Sequence, residues 1–135
     1  MSAGKIAVLA LSLLVAGCGP SPPNHNKFRS RLEKAGGWRG IKWTGSYVEA
    51  NRSVGGVLFY FDIAITNDGN VMERVRAPQS KTDAAVYVRY RSTPPPGIQQ
   101  GFTKTLSGLL TKKEKEEVKR LADEFWDAYC GSSRE

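Results

Sequence analysis

Histidine is nearly absent from this 135-residue chain, which has only His25, and cysteine is scarce, with Cys18 and Cys130 alone. One histidine removes serine–histidine and cysteine–histidine nucleophiles, because each needs an imidazole to take the nucleophile's proton. Two distant cysteines and one histidine give no zinc-type spacing, and no calcium-loop pattern occurs. No glycine loop leads into a helix to cradle phosphate; Gly55-Gly56 leads into a strand-forming run instead. The longest apolar run, from Ile6 to Val15, falls short of the roughly 20 residues that span a bilayer. No catalytic residue, cofactor or metal is therefore expected, and the chain does not read as an enzyme.

What is present is positive charge. Lys and Arg number 20 against 13 Asp and Glu, a formal net charge of +7, and 40% of the residues are hydrophobic. That composition allows one small folded domain and is too apolar for wholesale disorder. A basic surface favours anionic partners, either lipid head groups or acidic glycans.

The N-terminus has one cation, Lys5, then the apolar run, then the small-residue exit Ala16-Gly17 before Cys18. This is the layout of a secretory signal. The segment Leu14-Val15-Ala16-Gly17-Cys18 resembles the lipobox of bacterial lipoprotein precursors. The resemblance covers the leader only. It implies lipidation at Cys18: a diacylglyceryl thioether on the sulfur, cleavage before the cysteine, and acylation of the new amine. It also implies a membrane partner through the lipid anchor. Two or three acyl chains hold a protein at a bilayer durably, at about 0.8 kcal/mol per buried methylene, where one short chain does not.

The expected organisation is a signal peptide at 1–17, a tether at 18–26 and a small α+β domain at 27–135. The tether reads Gly19-Pro-Ser-Pro-Pro-Asn-His-Asn26, rich in residues that resist helix. Gly19 stands where an inner-membrane retention aspartate would be, so the resemblance implies a Gram-negative outer membrane, facing the periplasm. His25 falls in the tether and reads as a solvated bystander. With Cys18 consumed by lipid, Cys130 would be a free thiol or an intermolecular bridge.

The fold class expected is α+β, with a short N-terminal helix, an antiparallel sheet of about four strands and a C-terminal amphipathic helix. The first helix runs to Gly36-Gly37, with Phe28, Leu32 and Ala35 on one face. Val57, Phe59, Phe61, Ile63 and Ile65 alternate with more polar residues, which predicts a strand whose odd face is core. A hairpin follows at Asn67-Asp68-Gly69. A two-residue turn would bury Arg74 and Arg76, so a three-residue loop with Gly69 left-handed is preferred. That register faces Val71 and Val75 to the core and sets Arg74 opposite Asp62 and Arg76 opposite Tyr60. It also puts Glu73 on the core side, opposite Ile63, where an open edge, a cationic partner or a cavity would each accommodate it.

Thr82 to Arg91 reads as another strand, and Ile98 to Leu110 as an irregular or partly helical connector. Arg74, Arg76, Arg89 and Arg91, with Tyr60, would form a basic and aromatic stripe on the outer sheet face, a candidate contact surface. Nucleic acid is not expected as its partner, because export separates the two. Thr111-Lys-Lys-Glu114 reads as a capping box, followed by Val118, Leu121, Ala122, Phe125 and Tyr129 at helical spacing.

The order of helix, strand, Asp-Gly turn, strand and later prolines is similar to the periplasmic C-terminal domains of TolA and TonB, with no functional residue carried over. Four functional classes stay open at this point. They are a non-catalytic envelope lipoprotein binding a protein or an anionic glycolipid, an exclusion lipoprotein of a phage or mobile element, a TolA/TonB-like envelope domain, and a glycan-acting enzyme pairing Glu73 with a second carboxylate.

Overall fold

The computed structural model describes residues 24–45, 47–65, 69–77, 85–91, 97, 100–103 and 110–131. The expected signal peptide, Cys18 and most of the expected tether lie outside them. Helix α1 spans His25–Ala35 and helix α2 spans Lys112–Gly131. Between them run strands β1 (Arg39–Thr44), β2 (Tyr47–Val54), β3 (Val57–Ile65), β4 (Val71–Arg76), β5 (Ala85–Tyr90) and β6 (Gly101–Phe102). All six pair in chain order as one antiparallel meander, and both helices cover the same face. The fold is thus α+β with an antiparallel sheet of six strands where about four were expected. The additional pieces are β1, an edge strand with exposed Arg39, Gly40 and Lys42, and the two-residue β6 inside the expected connector.

Local chemistry sets the ends of the elements. Asn24 caps α1, its side-chain oxygen accepting from the Lys27 N–H at 3.0 Å, so the helix begins inside the stretch read as tether. At its other end Gly36 adopts φ 84° and returns its N–H to the Leu32 carbonyl. In α2 the capping box forms as expected: the Glu114 N–H donates to Thr111 Oγ1 at 3.1 Å and the Thr111 N–H donates to Glu114 Oε1 at 2.9 Å.

The β3–β4 register is the one chosen on burial grounds, with Tyr60 opposite Arg76, Asp62 opposite Arg74, Ile63 opposite Glu73 and Ile65 opposite Val71. Gly69 has φ 85°, the left-handed conformation that the loop asked for. One slip of register would have exchanged the faces of the whole strand. On the helix-covered face Phe59, Phe61, Ile63, Val71 and Val75 are buried against Val118, Leu121, Ala122, Phe125 and Tyr129 of α2. Ile65, expected in the core, closes its strand and stays 36% exposed, and Ala35 at the end of α1 is exposed as well.

Phe125 joins the layers. Its ring meets Phe28 at 5.5 Å, Trp38 at 5.4 Å and Phe61 at 6.3 Å, linking both helices to the centre of the sheet. Truncating a buried phenylalanine in such a position costs about 3–5 kcal/mol.

Candidate functional site

The arginines expected to form one stripe are divided between the two faces of the sheet. Antiparallel partners share a face, and β4 pairs with β5 through Glu73 opposite Arg89 and Val75 opposite Tyr87. Arg89 therefore lies on the face of Glu73 beneath α2, and Arg91 joins it there. Arg74 and Arg76 remain on the outer face with Tyr60. The sequence had left the β5 face to alternation alone. The observed face follows from pairing with β4, adjusted by an irregularity between Val75 and Arg76.

On the outer face Asp62 is the hub. Arg74 Nε donates to its Oδ1 and Arg76 Nε to its Oδ2, each at 3.1 Å, so both carboxylate oxygens are held. Arg76 also donates through Nη2 to Glu49 Oε2 at 2.5 Å, and the Tyr47 hydroxyl donates to the same oxygen at 2.9 Å. The Arg76 guanidinium lies 5.7 Å from the centre of the Tyr60 ring. Asp62 is fully buried although no described helix packs on this face, its two arginines being its nearest cover. Burial pushes its carboxyl above the usual aspartate value, while Arg74 and Arg76 pull it down. Burial, then Asp62 and Glu49, push the Tyr47 hydroxyl up to about 12.

Beneath α2 the hub is Glu73, also fully buried. Arg91 donates to its Oε1 from Nε at 3.1 Å and from Nη2 at 2.7 Å. Glu73 Oε2 makes no hydrogen bond among the described residues. Arg91 then reaches Asp123 Oδ1 on α2 at 3.2 Å, and its guanidinium stacks 4.8 Å from the Trp126 ring centre. Arg89 donates to the same Asp123 oxygen at 2.8 Å and to the Tyr87 hydroxyl at 3.1 Å. Burial, partly opposed by Arg91, pushes the Glu73 carboxyl up to about 7.

A carboxyl tuned to neutrality is what general acid–base chemistry uses. Such a group must reach a substrate proton, however, and Glu73 is sealed behind Arg91. What it can do in place is hold or release a proton. An open groove of about 600 Å³ between the helices mixes Arg31, Lys34 and Arg120 with Asp123, Glu124 and Asp127, a lining that selects no charge of ligand.

Of the remaining sequence candidates, Cys18 lies outside the described residues. Cys130, expected to be a free thiol or an intermolecular bridge, is instead buried and disulfide-bonded, and Cys18 is the chain's other cysteine. His25 is the first residue of α1, exposed and 5.6 Å from the Trp43 ring. Sequence reasoning missed Glu49, Tyr47 and Asp123. The first two had a signal: the Gly55-Gly56 turn, with φ of 59° and 81°, fixes Val54 opposite Val57 and hence Glu49 opposite Asp62. Asp123 meets β5 only through tertiary packing. No family model, curated protein or solved structure matches this chain.

Proposed function

We propose that this chain is a lipid-anchored, non-catalytic protein of the bacterial cell envelope whose folded part binds another envelope protein. The single observation behind the reading is the lipobox-like Leu14-Val15-Ala16-Gly17-Cys18 at the exit of an apolar leader. Gly19 after the cysteine supports the outer membrane as the destination. Binding is favoured over hydrolysis because Glu73, whose carboxyl burial pushes up to about 7, is enclosed by its own arginine. A protein is favoured over an anionic glycolipid because Arg74, Arg76, Arg89 and Arg91 are each already paired with a carboxylate. The outer sheet face keeps Tyr47, Tyr60, Met72, Val88 and Tyr90 partly exposed around a charge-balanced hub, a composition suited to protein contacts.

The test is the intact mass of membrane-extracted protein, wild type beside Cys18→Ser. A chain beginning at Cys18 with added acyl mass, lost in Cys18→Ser together with detergent partitioning, is the expected result. One sulfur cannot be both a thioether and half of a disulfide, so the anchor requires that Cys130 lack, in the mature protein, the disulfide it has in this structure. A mass lacking acyl groups, with Cys130 paired to Cys18, would overturn the anchor. Crosslinking through a photoreactive residue at Tyr60 then reads the partner, and capture of no protein would count against the binding face.

A further inference from the structure

Helix α1 carries Lys27, Arg29, Arg31 and Lys34 against a single acid, Glu33. Its inward residues, Phe28 and Leu32, are fully buried; Arg29 donates to the Ile41 carbonyl at 2.8 Å and Arg31 lies against Gly131 of α2, which leaves Lys27 partly exposed and Lys34 exposed. At its first residue a row of rings begins. His25 lies 5.6 Å from Trp43, Trp43 lies 5.6 Å from Tyr129, and Tyr129 lies 5.7 Å from Trp126, centre to centre. Trp43 and Trp126 are partly exposed at the rim of the core, whereas the third tryptophan, Trp38, is 6% exposed within it. The row therefore crosses from β1 to the last third of α2, at the end of the helix layer where α1 starts.

This end is also where the chain arrives from Cys18. Six residue steps separate Cys18 from Asn24, which caps α1, and a fully extended chain of that length spans at most roughly 20 Å. A lipid on Cys18 would thus keep His25 and the adjoining rings within that distance of the bilayer surface. Tryptophan and tyrosine favour the boundary between head groups and acyl chains, where the ring is buried and its polar edge stays wet. Lysine and arginine alongside are drawn to anionic head groups. Asp123, Glu124 and Asp127 of α2, which line the groove with Arg31 and Lys34, oppose this attraction.

We propose that the anchored domain lies on an anionic phospholipid surface, contacting it with His25, Trp43 and Trp126, which Tyr129 backs from the core, and with Lys27 and Lys34 of α1. The inference rests on the lipid-anchor reading and adds an orientation to it. The outer sheet face, on the far side of the sheet from these rings, stays available to a protein partner.

The experiment reconstitutes the mature, membrane-extracted protein into phosphatidylcholine vesicles with and without phosphatidylglycerol, using acyl chains brominated near the head group to quench tryptophan. Flotation and acyl mass read the anchor, and quenching reads the face. Quenching that strengthens with phosphatidylglycerol, and is lost in Trp43→Phe/Trp126→Phe where only core Trp38 remains, is the expected result. A Lys27→Glu/Lys34→Glu variant leaves the rings in place and should lose the phosphatidylglycerol dependence while still floating. Protein that floats with its acyl mass but is not quenched overturns the orientation and leaves the anchor standing. Protein without acyl mass that fails to float overturns the anchor and this inference with it.

Discussion

Asp62 and Glu73 lie one strand apart, are equally inaccessible to water, and are treated in opposite ways. Asp62 stands on the uncovered face, and two arginines hold its two oxygens. Glu73 stands under α2, where one arginine holds one oxygen and Oε2 is left bare among the described residues. A carboxylate on an open face can draw in cations from either side and be buried by them. Beneath a helix the apolar neighbours claim that room, so desolvation is offset only in part and the proton is retained to higher pH.

The strongest way to break this contrast is to remove Arg76, which serves both Asp62 and Glu49. Arg76→Ala leaves two carboxylates short of a partner and should cost roughly 3–5 kcal/mol in urea denaturation. Arg91→Ala should cost less at pH 5 than at pH 8, because Glu73 can meet the loss by staying protonated.

The pH dependence itself should be nearly as large. With its folded value raised from 4.5 to about 7, Glu73 binds more protons in the native than in the unfolded chain across that window. The contribution of Glu73 to stability is therefore fully present below pH 4.5 and lost as pH rises through 7, by about 3 kcal/mol at most for a shift of this size. Asp62 is shifted in the same direction, by burial. Denaturation midpoints from pH 5 to pH 8 should show the decline in wild type and flatten in Glu73→Gln. An equally steep decline in Glu73→Gln would assign it elsewhere.

The smallest effect belongs to Asp123, whose side chain is 54% exposed although it accepts from both Arg89 and Arg91. Asp123→Asn should shift stability by no more than about 1 kcal/mol, and less in high salt. A loss several times larger would mean that the network beneath α2 acts as one buried unit.

Much of this contrast was legible in the sequence, and the limit is instructive. A tight turn transmits register, so Asn67-Asp68-Gly69 is enough to place Arg74 by Asp62 and Glu73 inside. Eight residues separate β4 from β5, and a separation of that length leaves the partner's face undetermined by sequence. Arg89 and Arg91 were consequently assigned to the wrong side. Strands β1 and β6 escaped notice for a different reason: one is short, basic and interrupted by Gly40, the other has two residues, and neither carries a periodicity of its own. The ends of both helices were visible because capping is local chemistry, as Thr111 with Glu114 shows.

The meander's outermost strands carry one more consequence. A sheet that does not close leaves rows of unpaired backbone groups along its margins, and these are templates for joining one molecule to the next. Confinement to a bilayer plane would raise the frequency of such encounters. Here the β1 margin presents Arg39 and Lys42 with a break in register between them, and β6 protects the other side with only two residues. Two β1 margins brought together would set cation against cation, which opposes their joining into a continuous sheet.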